Sequence, residues 1–125
     1  MLGHAFSDSL HPDIVETALR RAVAFRGPAA GSVAGVIFHA DQGCQYTSAQ
    51  LAAVAEELGV RLSVGRSGVC WDNAQQESFW STQKTEFYQR HQFPTRAVAI
   101  HAVSTWIDTV YNHRRRHNSL GHIPL

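Results

Sequence analysis

Apolar residues recur at helical spacing in three stretches of this chain and crowd into two short runs, which sets the first division into elements. Ile14, Val15, Ala18, Leu19, Ala22 and Val23 keep the helical period behind Pro12, which suits a first helical position, and Asp13 and Glu16 add acid to the opening turn. The spacing predicts a helix over Pro12–Phe25. Arg26-Gly-Pro-Ala-Ala-Gly-Ser reads as a loop. Gly35-Val-Ile-Phe-His39, rich in β-branched and aromatic residues, reads as a buried strand that stops at Ala40-Asp-Gln-Gly43. Ser48 then caps a helix with an apolar stripe of Leu51, Val54, Ala55 and Leu58, and Gly59 falls at its C′ position. Val60–Val64 is a second strand. Strand, helix and strand within about 30 residues make a βαβ crossover, so the two strands are expected to be parallel.

From Asp72 to Tyr88 there is neither Gly nor Pro, and the composition predicts a third helix. Phe93-Pro-Thr95 interrupts it. Thr95 opens another periodic stretch carrying Val98, Ile100, Val103, Trp106, Ile107, Val110 and Tyr111. Trp80, Phe87, Trp106 and Tyr111 recur at helical spacings and are expected in the core. The fold class is α/β: short parallel strands flanked by helices.

Composition narrows the possibilities. The 125 residues, 44% of them apolar, suffice for one compact domain and exclude a multidomain machine. A net charge of +1 excludes a wholly basic nucleic-acid coat. The charge is nonetheless lopsided: up to Gln89 there are 6 basic and 9 acidic residues, and from Arg90 onward 5 basic residues accompany only Asp108. Cys44 and Cys70 share no metal-ligand spacing, which points to small packing residues in a reducing cytoplasm. The first residues carry no signal-like apolar segment and Val33–Phe38 is far too short to cross a bilayer, so no membrane partner is expected.

Two carboxylates carry candidate chemistry. Asp41 ends a strand beside a Gly-containing turn, Glu77 lies inside a helix, and 35 residues separate them. Acids so placed can converge beyond the carboxyl end of a parallel sheet, where oxygen ligands hold Mg²⁺. Helical arithmetic sets Asn73 and Lys84 on the Glu77 face. A plain turn residue and a solvated helix face account for the same acids and are the commoner cases. His39 shares a strand face with Asp41, but a core histidine bonded to backbone is the more frequent situation, and it stays outside the metal set. Ser67 and Ser81 lack a nucleophile setting. Arg114, Arg115 and Arg116, flanked by His113 and His117, suit either a basic helix end or contact with phosphate.

Three stretches taken together go further. His39-Ala-Asp-Gln-Gly-Cys-Gln-Tyr-Thr-Ser48, Asp72-Asn-Ala-Gln-Gln-Glu-Ser-Phe-Trp-Ser-Thr-Gln-Lys-Thr-Glu86 and Tyr111-Asn-His-Arg-Arg-Arg-His-Asn-Ser-Leu-Gly121 resemble the integrase catalytic core of bacterial insertion-sequence transposases, with that family's interval between acids. The resemblance covers nearly the whole chain. It implies a ribonuclease H-like fold and metal-dependent phosphoryl transfer on DNA, in which two Asp and one Glu hold divalent cations, Mg²⁺ or Mn²⁺. Asp41 matches the second acid and Glu77 the third. Asn73 and Lys84 match polar positions near metal and DNA, and the segment at about 111–121 matches the basic C-terminal signature.

The resemblance also implies a shortfall. The family's first Asp sits on a strand ahead of the first helix, and neither Asp8 nor Asp13 occupies such a place. Residues 1–125 are therefore expected to form a partial core that binds Mg²⁺ weakly, is inactive alone, and exposes the edge of its first strand. Marginal stability, self-association or pairing with full-length transposase follows from that expectation. Transposon ends and target DNA are the implied partners, and a non-catalytic DNA-binding or transposase-interacting module is the alternative.

Overall fold

The computed structural model describes residues 1–27, 33–66, 74–116 and 121. They fall into two compact units, Leu2–Ser78 and, with Met1, the chain from Phe79 onward.

In the first unit, α1 (Pro12–Arg26) is followed by β1 (Ile37–Ala40), α2 (Ala49–Leu58) and β2 (Arg61–Val64). Ser48 caps α2 by accepting the Leu51 N–H at 3.2 Å, and Gly59 ends it with φ of 70°. Any side chain at that left-handed position would be strained. The two strands pair parallel, with Ile37 opposite Arg61 and His39 opposite Ser63, as the crossover length requires. Phe38 and Leu62, opposite each other in the ladder, turn into a core of Val15, Leu19, Leu51 and Val54. Gly3 lies so close to α1 that a Cβ there would stand 2.6 Å from the Ala22 nitrogen and closer still to the Ala18 oxygen.

A polar chain also joins α1 to α2. The Arg20 guanidinium donates to both Glu57 oxygens at 2.9 and 2.7 Å and to Glu16 at 2.9 Å, and the Gln50 amide donates to Asp13 and Glu16, each at 2.7 Å. Nothing in the apolar periodicity announces this network.

In the first unit the expected buried strand is not buried. Val36 is 40% exposed and Ile37 59%. Each strand is only four residues long, and one sheet face alone meets the core, so half of an apolar run is left outside. Cys44 is exposed rather than packed, because the turn after β1 carries it away from the core. Cys70 and Ser67 lie outside the described residues.

The helix expected over Asp72–Tyr88 is α-helical only as α3 (Ala74–Thr82), which crosses from one unit into the other. It continues as a π segment, Gln83–Phe87, and a 3₁₀ turn, Tyr88–Arg90. In the second unit, α4 (Arg96–Trp106) is capped by Thr95, whose hydroxyl accepts the Val98 N–H at 3.2 Å, and it too passes into a π segment, Ile107–Tyr111. Each π segment holds a threonine bonded back to the carbonyl four residues earlier, Thr85 to Ser81 at 2.9 Å and Thr109 to Thr105 at 2.7 Å. Such back-bonding competes with the regular ladder and loosens it.

Phe79, Phe87, Val103, Trp106 and Ile107 form this unit's core, with the Phe79 and Tyr111 rings edge to face at 5.1 Å. Asn112 brackets Met1: its amide donates to the Met1 carbonyl at 2.9 Å, and its side-chain oxygen accepts from the terminal ammonium. Trp80 departs from the expected core and is 47% exposed, since the residue beside it on α3, Phe79, takes the inward position. Val98 and Ile100 are likewise exposed at the open start of α4. Among the described residues no helix is long and apolar enough to cross a membrane.

Candidate functional site

Asp41 follows the last residue of β1 and is exposed. Its Oδ1 accepts the Gly43 N–H at 3.1 Å, which closes the turn before α2. The turn reading is thus realised, yet it uses one oxygen only, and a carboxylate has lone pairs on both. Among the described residues the second oxygen has no partner.

Two residues earlier, His39 departs from the core-histidine expectation. It is exposed, and its Nδ1 lies 2.9 Å from the Ser63 hydroxyl on the neighbouring strand rather than on a backbone carbonyl. The direct register of His39 with Ser63 puts both side chains on the sheet face away from the Leu51 core.

Glu77 stands in the first turn of α3 and is exposed, where the helix dipole favours a negative charge. Asn73 lies outside the described residues. Lys84 is exposed within the π segment, so the regular helix behind its expected face ends at Thr82, two residues before it. Among the described residues no group of three or more His, Cys, Asp or Glu gathers as a ready-made metal cage.

The three arginines are not equivalent. Arg114 and Arg116 are exposed. Arg115 is half-buried and committed: it donates to Glu86 at 3.3 Å, to the Thr82 hydroxyl at 3.2 Å and to the Arg116 carbonyl at 3.3 Å. Burial pushes the nearby Tyr111 hydroxyl's pKa up, and the Arg115 charge pulls it partly back.

Two surface clefts of about 310 and 380 Å³ are lined by Phe6, Ser7 and His11 and by Phe87, His101 and Trp106, respectively. Neither includes Asp41 or Glu77. Asp41 and Glu77 are both exposed.

Family comparison decides what kind of chain carries these residues. Two models described as integrase core domain match, one over residues 2–70 and the other over residues 58–124. The chain belongs to the integrase core family. The transposase for insertion sequence element IS629 of Shigella sonnei is 34% identical over 124 residues, 99% of this chain and 40% of that protein. The transposase for IS904 of Lactococcus lactis is 41% identical over 86 residues, 69% of this chain and 34% of that protein. A 31 kDa protein of insertion element IS600 from Shigella sonnei is 41% identical over 90 residues, 72% of this chain and 33% of that protein. This integrase core is thus of the insertion-sequence transposase type, and it spans between 33% and 40% of the length of these relatives. The resemblance read from the three motif stretches holds.

Proposed function

We propose that this integrase core handles DNA in transposition, with Asp41 and Glu77 as the two acids it contributes to metal-dependent phosphoryl transfer. The observation that carries the reading is Asp41 at the carboxyl end of β1 in a parallel βαβ unit, the usual position of a site in an α/β sheet. The donor set fits a hard cation: exposed carboxylate oxygens, no thiolate among them, and one Asp41 oxygen left open by the turn. Asp41 and Glu77 would hold Mg²⁺ or Mn²⁺, which when bound would supply Lewis-acid stabilisation of phosphoryl oxygens.

The chain's own side chains do the rest. Asp41 and Glu77 orient the cation site against the scissile phosphate. Lys84, Arg114 and Arg116 neutralise backbone phosphates, Arg115 does so only by giving up Glu86, and Asn73 donates to DNA near the acids. We assign the 125 residues to a partial ribonuclease H-like core, with transposon ends and target as its DNA and full-length transposase as its protein partner. Among the described residues no strand-borne Asp precedes α1 to serve as the family's first acid, and a two-metal clamp without its shared ligand loses several kcal/mol of transition-state stabilisation. A strand-transfer assay on matched transposon-end DNA tests this. No product from the chain alone is expected, and Mg²⁺-dependent product abolished by Glu77→Gln would show the 125 residues to be self-sufficient.

The exposed Arg114 and Arg116 favour a second reading, a non-catalytic DNA-binding or transposase-interacting module. Salt-dependent affinity that falls when both become Ala and is untouched by Asp41→Asn supports it.

A further inference from the structure

Arg115 ties together two helices of the second unit. Its backbone N–H donates to the Val110 carbonyl at 2.7 Å, in the π segment that ends α4. Its guanidinium reaches the other helix, donating to the Thr82 hydroxyl at 3.2 Å and to Glu86 at 3.3 Å. Thr82 is the last residue of α3 and Glu86 belongs to the π segment that follows, so the guanidinium spans the junction where one winding gives way to the other. Lys84 lies between the two residues it holds.

Two windings compete at this junction. The Thr85 hydroxyl takes the Ser81 carbonyl at 2.9 Å, and the Tyr88 N–H reaches back five residues to the Gln83 carbonyl. A π turn in effect adds one residue to an α-helical turn, which carries the side chains after it around the axis by up to roughly 100°. The winding therefore decides the direction in which Lys84 leaves the helix. A threonine hydroxyl suits either form, whereas a planar guanidinium whose donors are fixed in a fork selects one spacing of its acceptors.

We propose that Arg115 is a positioning residue, whose guanidinium clamps the junction from Thr82 to Glu86 and so sets the direction in which Lys84 meets a DNA phosphate. While it holds Glu86 it makes no phosphate contact of its own. The proposal rests on the DNA-handling reading above, from which it takes Lys84 as a phosphate contact, and it gives Glu86 a task that a plain surface acid lacks.

The test uses the 125-residue chain, labelled duplex DNA and fluorescence anisotropy over a salt series. Lys84→Ala should lower the slope of log affinity against log salt by about 0.9, the loss of one phosphate contact. Arg115→Ala should lower it by a similar amount, and the two substitutions together should lower it no further, because both remove the same contact. Glu86→Ala changes an exposed position and leaves the core of this unit intact. By charge alone the loss of an acid should tighten DNA binding; loss of the clamp should weaken it. Proton NMR of the free chain reads the winding without DNA: a contact between Gln83 and Tyr88, five residues apart, should be present in the wild type and lost in Glu86→Ala.

Additive losses from Lys84→Ala and Arg115→Ala would make Arg115 a phosphate contact itself and overturn the inference. A wild-type slope in Arg115→Ala, tighter binding by Glu86→Ala, or a π contact absent from the wild type or kept in Glu86→Ala would overturn it too. All of these leave the DNA-handling reading intact. Binding that Lys84→Ala leaves unchanged removes Lys84 from that reading and ends the inference with it, and a wild-type chain that binds no duplex at low salt overturns both.

Discussion

Among the described residues Leu51 is the most completely buried large side chain, 1% exposed, at the point where α1, α2 and the sheet meet. Leu51→Ala removes an isopropyl group from this packed core, and the expected loss is about 2–5 kcal/mol, read as a lower denaturation midpoint in urea. Gly3 matters for the opposite reason. A Cβ there meets backbone atoms of α1, which cannot rotate away as a side chain can, so Gly3→Ala should cost about 1–3 kcal/mol by overpacking. An unchanged midpoint for Gly3→Ala would mean that the segment before α1 does not pack on it in solution. The two residues differ in legibility. Leu51 announces itself by helical spacing, whereas the approach of Gly3 depends on a return of the chain that no local pattern encodes.

At the scale of elements, caps and periodicity made the boundaries readable where the signal is local. Ser48, Gly59 and Thr95 each stand at the helix end their chemistry suggests. The π segments were not readable, because Thr85 and Thr109 suit either a regular helix or a loosened one, and the choice is made by which carbonyl the hydroxyl takes. The junction of α1 with α2 was equally hidden, since exposed Glu, Gln and Arg fit any solvated face. That junction predicts a pH dependence. Hydrogen bonds from Gln50 hold Asp13 below its ordinary value of 3.8, those from Gln50 and Arg20 hold Glu16 below 4.5, and those from Arg20 hold Glu57 below 4.5. Depressed folded-state values mean that the network's contribution is complete above those ordinary values and is lost as pH falls through the lower folded ones. All these groups are exposed, so the effect is small and screened by salt. Arg20→Met should flatten the acid limb of a melting-temperature profile while changing little near neutrality. An unaltered acid limb would show that the bridges are not populated in solution.

For the whole molecule, the family was legible because three long motif stretches follow one another in order between His39 and Gly121, and the α/β character because the crossover is compact. The joint role of Asp41 and Glu77 was less so, since a strand end and a helix turn do not by themselves bring two carboxylates to one ion. Binding of Mn²⁺, whose unpaired electrons broaden nearby nuclear resonances, discriminates sharply between the possibilities. If both acids share a cation, one equivalent of Mn²⁺ should broaden amide signals around Asp41 and around Glu77 together, and excess Mg²⁺ should reverse both by competition. Glu77→Gln should then weaken Mn²⁺ binding and reduce the broadening at Asp41 as well, because the loss of one anionic ligand lowers occupancy of the whole site. Broadening near Asp41 that persists unchanged in Glu77→Gln would assign the ion to the β1 turn alone, and would remove the shared centre on which the phosphoryl-transfer reading depends.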